Sequence, residues 1–357
     1  MRHRLHKVAR ALARHDLDAL LVTGATNQRY LTGFTSSNAY LIVTAAAESI
    51  YLTDARYIDA ARSQVDTDRV DLIGGDPGRA LRAAIRGRGV RRLCFEADHL
   101  SHARAVRLAG ALGARRCRPV SGVVESVRAV KETGEIETIR RAVRLAERCF
   151  HHVRPLFRPG VRERDVALEI GAFHRQHGAD DDAFEPIVAF GPDAAVPHHR
   201  PGARRLRSSD VVLVDWGARV DGYCSDLTRT LLPPGTPRRL RDAYDAVRAA
   251  QQAAIESIRP RVRSGSCDRR ARSALAAAGY GEHFTHSLGH GIGLDVHERP
   301  WLTGTRRDAL RPGMVVTVEP GVYLSGDFGI RIEDDVLVTP DGAEVLSRLP
   351  TRVATWG

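Results

Sequence analysis

Acidic side chains stand at the ends of apolar segments in the C-terminal third of this chain, between residues 211 and 335. The segment VVLVDWGARVDGYCSDLTRT contains Asp215 and Asp226, VVTVEPGVY contains Glu319, and GIRIEDDVLV contains Glu333. Burying an unpaired carboxylate is costly, so a strand that carries one inward usually holds a metal ion or a partner charge. The pattern therefore restricts the chain to folds in which these strands converge on a shared charged site.

The first two acids belong to one predicted hairpin, because Asp221-Gly222 is a strong turn signal. If these two residues form the loop, Asp215 faces Thr228 and Asp226 lies diagonally beside Asp215 on the same face. If the loop centres on Val220-Asp221, Asp215 and Asp226 are directly opposite. Both registers put the two side chains within roughly 5 to 8 Å at Cβ, so both carboxylates can reach one site.

The second pair of acids repeats this arrangement. A turn around residues 325–327 places Glu319 and Glu333 across from each other, and His290, within GHGIG, adds an imidazole.

Four like charges cannot all stay ionised without cations. Oxygen donors favour Mn or Mg, and the imidazole admits Zn, Co or Fe. Two such ions about 3.5–4 Å apart can activate a water and clamp a tetrahedral intermediate. The alternative interpretation is two hairpins with charged residues on a solvated face.

The joint set DWGA, YCSDLTRT, HSLGHGIGLDVHE, EPGVY and RIED resembles the pita-bread metallopeptidases, most closely the Xaa-Pro aminopeptidase and Xaa-Pro dipeptidase (prolidase) branch. The resemblance implies two divalent metal ions, with Mn preferred and Co, Zn or Fe as alternatives. It implies that Asp226 and Glu333 bridge both ions, that Asp215 binds one ion, and that His290 and Glu319 bind the other. The implied reaction is attack of a hydroxide on the bond between an N-terminal residue and a following proline, with Glu319 as proton shuttle.

Two further histidines have catalytic roles by the same resemblance. His198, in the PHH segment 17 positions before Asp215, is expected to contact the substrate. His297, seven positions after His290, is expected to hydrogen-bond the scissile carbonyl or its oxyanion. His199 is assigned to the loop.

Two side chains are expected to support the site. Arg331 lies two residues before Glu333, on the same strand face, and is expected to steady Asp226 or Tyr223 by a charge-assisted contact. His286 is expected either to support the metal ligands or to pack in the core.

The chain divides into two predicted domains. Residues 1–126 alternate helices and strands and resemble, through LDALLVTGATNQRYLTGFTSSNAYLIV, the α/β N-terminal domain of the creatinase and prolidase group, which implies a homodimer. Residues 127–357 are predicted to form an α+β pita-bread catalytic domain. Near the boundary, the segment 122–131 is predicted to contain a short strand.

Composition bears on the partners and the location. The formal net charge is +11, yet only two of 54 basic residues are lysine and the arginines spread over the whole length. Such usage is typical of a biased genome composition, so no nucleic-acid partner is expected. Five cysteines without a CxxC motif indicate reduced thiols and a cytoplasmic protein. The apolar runs are too short to span a membrane, so no membrane partner is expected.

Three other interpretations deserve comparison. A methionine aminopeptidase shares the five ligands but commonly lacks an N-terminal domain of this length and the PHH segment. A creatinase-like amidinohydrolase has two domains but does without the metal set. A non-catalytic pita-bread module that binds protein or nucleic acid has generally lost ligands. All five ligands are present here, which argues against the last two interpretations, and the resemblance implies proline-containing peptides as the substrate.

Overall fold

The computed structural model describes residues 1–356. The chain divides into two compact units, Met1–Arg128 and Ala129–Gly357. The division falls two residues beyond the boundary expected from the sequence. The strand predicted within residues 122–131 is wrong, because Val123–Arg128 form a helix. Val124 and Arg128, four positions apart, are both buried on one side of that helix, so packing overrides the β propensity of the two valines.

The first unit contains one mixed six-stranded sheet. Its helices are α1 (Arg2–Arg14), α2 (Ala25–Thr32), α3 (Ile58–Gln64), α4 (Pro77–Ile85), α5 (His102–Leu112) and α6 (Val123–Arg128). Its strands are β1 (Ala19–Val22), β2 (Ala39–Thr44), β3 (Ser49–Thr53), β4 (Arg69–Leu72), β5 (Leu93–Glu96) and β6 (Cys117–Val120). The strand order is β4-β3-β2-β1-β5-β6, with β1–β2–β3 antiparallel and the outer pairs parallel. This is the α/β architecture expected for the N-terminal part.

The second unit contains four long helices and several short sheets. Its helices are α7 (Thr133–Val153), α8 (Glu163–Gln176), α9 (Arg238–Ser257) and α10 (Ser264–Ala277). Its strands are β7 (Asp181–Asp182), β8 (Ile187–Phe190), β9 (Val212–Trp216), β10 (Ala218–Val220), β11 (Tyr223–Cys224), β12 (Leu227–Leu231), β13 (Gly289–Gly291), β14 (Glu298–Leu302), β15 (Val315–Val318), β16 (Gly321–Leu324), β17 (Phe328–Arg331), β18 (Asp334–Val338) and β19 (Ala343–Val345).

Helices cover the sheets of this unit from two sides. Apolar residues of α7 and α8 pack with one set of strand side chains, which includes Val212 and Val214. Residues of α9 and α10 pack with another set, which includes Val316 and Val336. The two sheets that matter for function have the orders β12-β9-β8 and β14-β13-β15-β18-β19. Strands that are buried on both faces have continuous apolar sequences. An acid at the end of such a strand lies inside the unit because the strand itself is buried.

The amphipathic helix α7 begins with a capping box, in which Glu132 and Glu135 satisfy each other's backbone N–H groups. Its buried face holds β9 in place, because the Trp216 indole donates to the Ala146 carbonyl at 2.8 Å and stacks on Phe150. Across residues 1–356, no helix combines the length and apolar character needed to cross a bilayer.

Candidate metal centre

The first acid hairpin adopts the first of the two registers considered above. Val220 pairs with Tyr223 and Asp215 pairs with Thr228. The loop is Asp221-Gly222, and both residues have positive φ angles, 47° and 84°. A two-residue loop with both φ angles positive has the twist that neighbouring antiparallel strands require. Asp226 therefore lies diagonally beside Asp215.

The second acid hairpin has the predicted turn. Leu324 pairs with Phe328 around Ser325-Gly326-Asp327. In the same register, Val318 pairs with Asp334 on one side of the two glutamates and Gly321 pairs with Arg331 on the other. Glu319 and Glu333 therefore stand opposite each other where β15–β18 gives way to β16–β17.

One backbone contact joins the two hairpins. Thr228 and Glu333 form an isolated antiparallel bridge, and the Glu333 N–H donates to the Thr228 carbonyl at 3.1 Å. The Thr228 hydroxyl also donates to Glu333 Oε2 at 2.6 Å. This seam brings the acids of the first hairpin, Asp215 and Asp226, against those of the second.

His290 reaches the acids from β13. Its Nδ1 lies 3.1 Å from the Gly291 carbonyl, and its Nε2 lies 3.8 Å from Asp226 Oδ2 and 3.5 Å from Glu319 Oε1. Glycine is required on both sides of His290. A Cβ on Gly289 would lie 2.1 Å from the Thr317 carbonyl, and one on Gly291 would lie 2.1 Å from that of Arg299. The close backbone approach expected from the GHGIG segment is present.

The charge states of these groups reflect burial and crowding. Burial raises the pKa of Asp226 and of Glu333 well above the usual carboxyl range, and the neighbouring acids raise both further. Burial also raises the pKa of Glu319 to about 8. The pKa of His290 falls to about 3, again through burial, so its imidazole is neutral at neutral pH. A neutral imidazole whose Nδ1 is held by a carbonyl presents Nε2 as a donor to a metal.

The donor set fits divalent cations. Ligand atoms of Asp226, His290 and Glu333 lie within 4.8 Å of one another, and all three side chains are buried. Asp215 Oδ1 is also buried and has no hydrogen-bond partner. A buried carboxylate oxygen without a partner costs free energy that a cation would offset. Together with Glu319, these residues could hold two metal ions.

Arg331 supports the site through a different partner from the one expected. Its Nη2 donates to Asp215 Oδ2 at 2.6 Å, its Nε donates to the Thr228 hydroxyl at 3.0 Å and its Nη1 to the Tyr323 hydroxyl at 2.8 Å. The predicted contact with Asp226 or Tyr223 is therefore wrong. The seam places Arg331 next to Thr228, which pairs with Asp215, whereas the Tyr223 hydroxyl donates to Glu135 at 2.7 Å.

His286 lies beside these groups rather than in a plain apolar core. Its Nε2 is 2.8 Å from the Tyr323 hydroxyl and its Nδ1 is 3.9 Å from Glu319 Oε2. Burial, and then the nearby Arg331, lower the pKa of His286 to about 4. Tyr323 thus links His286 to Arg331, a role that the sequence reasoning missed although EPGVY is one of the motifs.

His198 and His297 are both exposed residues at the edge of this centre. The centroid of the His297 ring lies 4.2 Å from that of the His290 ring. It lies 6.4 Å from the centroid of the Trp301 ring, and the planes of these two rings are 20° apart. Burial and the charge of His198 lower the pKa of His297, and His198 also lowers the pKa of His286. The two histidines therefore lie near His286 and His290.

The loop that carries His198 is pinned by Glu163, a residue that the sequence reasoning did not single out. Glu163 is fully buried at the start of α8. Its Oε1 accepts the Phe190 N–H at 2.9 Å, and its Oε2 accepts the Gly202 N–H at 2.9 Å. His199 Nε2, also 2.9 Å from Oε2, completes the contact. One carboxylate thus holds both ends of the segment 190–202 and His199 within it.

The same loop is fixed against the second hairpin. A Cβ on Gly329 would lie 1.8 Å from the Ala194 carbonyl, so only glycine allows the loop to approach β17 this closely. Arg331 Nη1 then reaches the Pro197 carbonyl at 3.3 Å. His198 therefore follows directly after a residue that contacts the guanidinium of Arg331.

Comparisons with known proteins agree with this architecture. The model of Metallopeptidase family M24 matches residues 137–340, and that of the Creatinase/Prolidase N-terminal domain matches residues 4–130. The chain is 35% identical to the uncharacterized peptidase YqhT of Bacillus subtilis, over 97% of this chain and 98% of that protein.

Two solved structures are similar along nearly the whole chain. A Xaa-Pro dipeptidase from Bacillus anthracis has a TM-score of 0.95 at 33% identity and covers 99% of both chains. An X-Pro aminopeptidase from Thermotoga maritima has a TM-score of 0.88 at 32% identity, over 97% of this chain and 99% of that one. The predicted architecture, a creatinase-type N-terminal domain and a pita-bread catalytic domain, is thereby confirmed, and the chain belongs to metallopeptidase family M24.

Proposed function

We propose that this metallopeptidase is a dimetal exopeptidase that hydrolyses the bond between an N-terminal residue and a following proline. The observation that carries the proposal is the convergence of Asp226, His290 and Glu333 on one point, with Asp215 and Glu319 beside them. The names of the two similar structures, a Xaa-Pro dipeptidase and an X-Pro aminopeptidase, support proline specificity. No observation favours a methionine aminopeptidase or a non-catalytic module.

Five residues are assigned to metal binding in this proposal. Asp226 and Glu333 would hold both ions, Asp215 would hold one, and His290 with Glu319 would hold the other. When bound, two divalent ions activate a water and polarise the scissile carbonyl. Mn is the metal that we propose, because four of the five donors are carboxylates.

The other residues orient the substrate and move protons. Glu319 accepts the proton of the attacking water and delivers it to the leaving proline nitrogen. His297 donates a hydrogen bond to the oxyanion that forms from the carbonyl, and His198 contacts the substrate. Arg331 holds Asp215 in its orientation through the 2.6 Å contact.

A substrate panel tests the specificity. Purified protein is loaded with Mn or Co in turn and assayed on Ala-Pro, Ala-Pro-Ala, Ala-Ala-Ala and Met-Ala-Ser, with product release measured by chromatography. We expect cleavage at the Xaa-Pro bond and little turnover of the other two peptides. The ratio of Ala-Pro to Ala-Pro-Ala turnover separates a dipeptidase from an aminopeptidase. Preference for Met-Ala-Ser or Ala-Ala-Ala would reject the proposal.

We also propose a cytoplasmic homodimer that uses proline-containing peptides and no nucleic acid as its reaction partner. The resemblance of residues 4–130 to the creatinase and prolidase N-terminal domain supports the dimer. The odd number of cysteines, without a CxxC motif, supports a reducing compartment. Light scattering coupled to size exclusion tests the dimer, and a monomer at micromolar concentration would reject it.

A further inference from the structure

The positive charge of this chain is concentrated in one short segment. Residues 79–118 contain 11 arginines and only two acids, Glu96 and Asp98, whereas the remaining 317 residues carry 43 basic and 41 acidic residues. A biased genome composition raises arginine everywhere and does not explain why acids are scarce in one segment alone. The composition argument therefore accounts for the number of arginines but not for this local excess.

The fold gathers part of this charge around one cavity in the first unit. Helix α4 begins at Pro77 behind its N-cap residue Asp76. Arg79 and Arg82, three positions apart, lie on one face of the helix, and Arg86 follows directly after its last residue. Arg91 and Arg116 join them in lining a cavity of about 810 Å³. Gly87 and Gly89, both with positive φ, line it without side chains.

These five arginines have no acidic partner within the described part of the chain. All five are exposed, and within residues 1–356 none of them forms an ion pair. The neighbouring Arg88, by contrast, lies 3.1 Å from Glu48 and does not line the cavity. None of the ten described lining residues is acidic.

Two of the five guanidinium groups are held in place by the backbone. Arg116 donates to the Val90 carbonyl at 2.8 Å and to that of Arg91 at 3.2 Å, and Arg82 donates to the Ala111 carbonyl. A guanidinium has five N–H donors, so each of these side chains keeps donors for a ligand. Their orientation is fixed before a ligand arrives, which lowers the entropy lost on binding.

Five guanidinium groups around one concave surface repel one another and favour an anion with several negative oxygens. Phosphate groups suit the planar fork of arginine. The volume is within the range of small-ligand sites, and the lining contains no aromatic side chain on which a nucleic-acid base could stack. We propose that this arginine cavity binds a compact polyphosphate group, either as a free inorganic chain or as the phosphate chain of a nucleotide. The proposal does not depend on the peptidase function.

Calorimetric titration of the full-length, metal-loaded protein with sodium tripolyphosphate at low salt tests this site. We expect saturable binding that weakens steeply as NaCl is raised, and a rise in Tm when tripolyphosphate is added. The variant R79Q/R82Q/R86Q is expected to bind at least about tenfold more weakly, because up to three charge-assisted contacts are lost. All three side chains are exposed, so the variant retains its fold and its peptidase activity.

The control is R10Q/R14Q/R241Q, which removes three exposed arginines from α1 and α9 that do not line this cavity. It changes the net charge by the same amount and is expected to leave tripolyphosphate binding unchanged. ATP binding equal to that of tripolyphosphate assigns the phosphate chain alone, and tighter ATP binding assigns a nucleotide. Three results would overturn the proposal: no binding of tripolyphosphate by the wild type, equal affinity of the two variants for tripolyphosphate, or tighter binding of a 12-nucleotide single-stranded DNA than of tripolyphosphate.

Discussion

Two groups in the second unit contain the same residue types but differ in how their oxygens are used. The metal centre brings together Asp226, His290 and Glu333, and the loop clamp brings together Glu163, Asp193 and His199. In the clamp, both oxygens of Glu163 accept backbone N–H groups, and Oε2 also contacts the His199 ring. In the metal centre, the acids face one another, and burial and mutual repulsion raise the pKa values of Asp226 and Glu333.

This difference separates a cation site from a structural one. A carboxylate whose lone pairs are satisfied by N–H donors needs no ion, and adding one would displace those hydrogen bonds. A set of buried acids that lack such donors is stable only when protonated or when cations lie among them. The following experiments test this distinction between the metal centre and the loop clamp.

The largest effect is expected on removal of a bridging acid. Asp226→Ala and Glu333→Ala should each lower the metal content and reduce turnover at least about 10³-fold, because both ions lose a ligand. Metal content is measured by elemental analysis and turnover with Ala-Pro-Ala. Asp193→Ala, in the clamp, is the matched control and should keep the metal content of the wild type. Full activity in either metal-centre variant would contradict the assignment.

A smaller loss is expected when the support of one ligand is removed. Arg331→Met takes away the 2.6 Å partner of Asp215 and should cost about 10- to 100-fold in metal affinity or kcat/KM, the range typical of groups that orient metal ligands. Arg331→Lys keeps the charge but not the fork that reaches Asp215, Thr228 and Tyr323, so it should recover only part of the loss. Unchanged metal affinity in Arg331→Met would show that Asp215 does not need this contact.

The clamp should affect the substrate and not the ions. In Glu163→Gln, one oxygen is replaced by an N–H donor that faces backbone N–H groups, so the segment 190–202 loses its anchor. We expect kcat/KM to fall about tenfold, mainly through KM, since His198 is displaced. Metal content should stay at the wild-type value.

The control for this variant lies on the same helix. Glu169 is paired with His152 at 2.6 Å on the exposed side of α8. Glu169→Gln should leave KM unchanged, because exposed pairs of this kind contribute little. Loss of metal from Glu163→Gln would mean that the clamp and the metal centre are one unit.

The smallest effect concerns the stability of the metal-free protein. The pKa of Glu319 is raised by burial to about 8, so the folded state retains a proton that the unfolded state loses near its usual pKa. The free energy of unfolding therefore decreases as pH rises towards 8. His286 and His290, with pKa values lowered by burial to about 4 and about 3, act in the opposite direction but only below about pH 6.5.

Between pH 6.5 and 8, the change in the free energy of unfolding therefore comes from the buried acids and not from these two histidines. In the metal-free wild type, Glu319 should contribute a loss of about 2 kcal/mol over this interval, from about 1.4 kcal/mol for each unit over which one proton is retained, and the raised pKa values of Asp226 and Glu333 add to the loss. Denaturant unfolding at both pH values measures the change. Glu319→Gln should lose about 2 kcal/mol less than the wild type over the same interval, and equal pH dependence in the two proteins would refute the explanation.

Much of the metal centre could be predicted because local signals determine it. The Asp221-Gly222 turn limits the first hairpin to two registers, and the turn at 325–327 sets the second. Since strand side chains alternate, each register decides which acids share a face. The five proposed ligands follow from these short-range features together with the motifs.

Other features depend on contacts between distant segments and have no local signal. The partner of Arg331 is 116 residues away, at Asp215, and was predicted wrongly. Glu163 reads as an ordinary acid in the first turn of a helix, where acids are common. Its partners Phe190 and Gly202 are known only once the loop is folded. Similarly, helix α6 forms because Val124 and Arg128 are buried together, which strand-favouring valines do not reveal.

The seam between Thr228 and Glu333 has a consequence for fragments of this protein. Asp215 and Asp226 lie before helices α9 and α10, and His290, Glu319 and Glu333 lie after them. A chain cut between these helices leaves each piece with an incomplete set of donors. Proteolytic cleavage between α9 and α10, followed by dissociation, would therefore abolish peptidase activity and would not release a smaller active species.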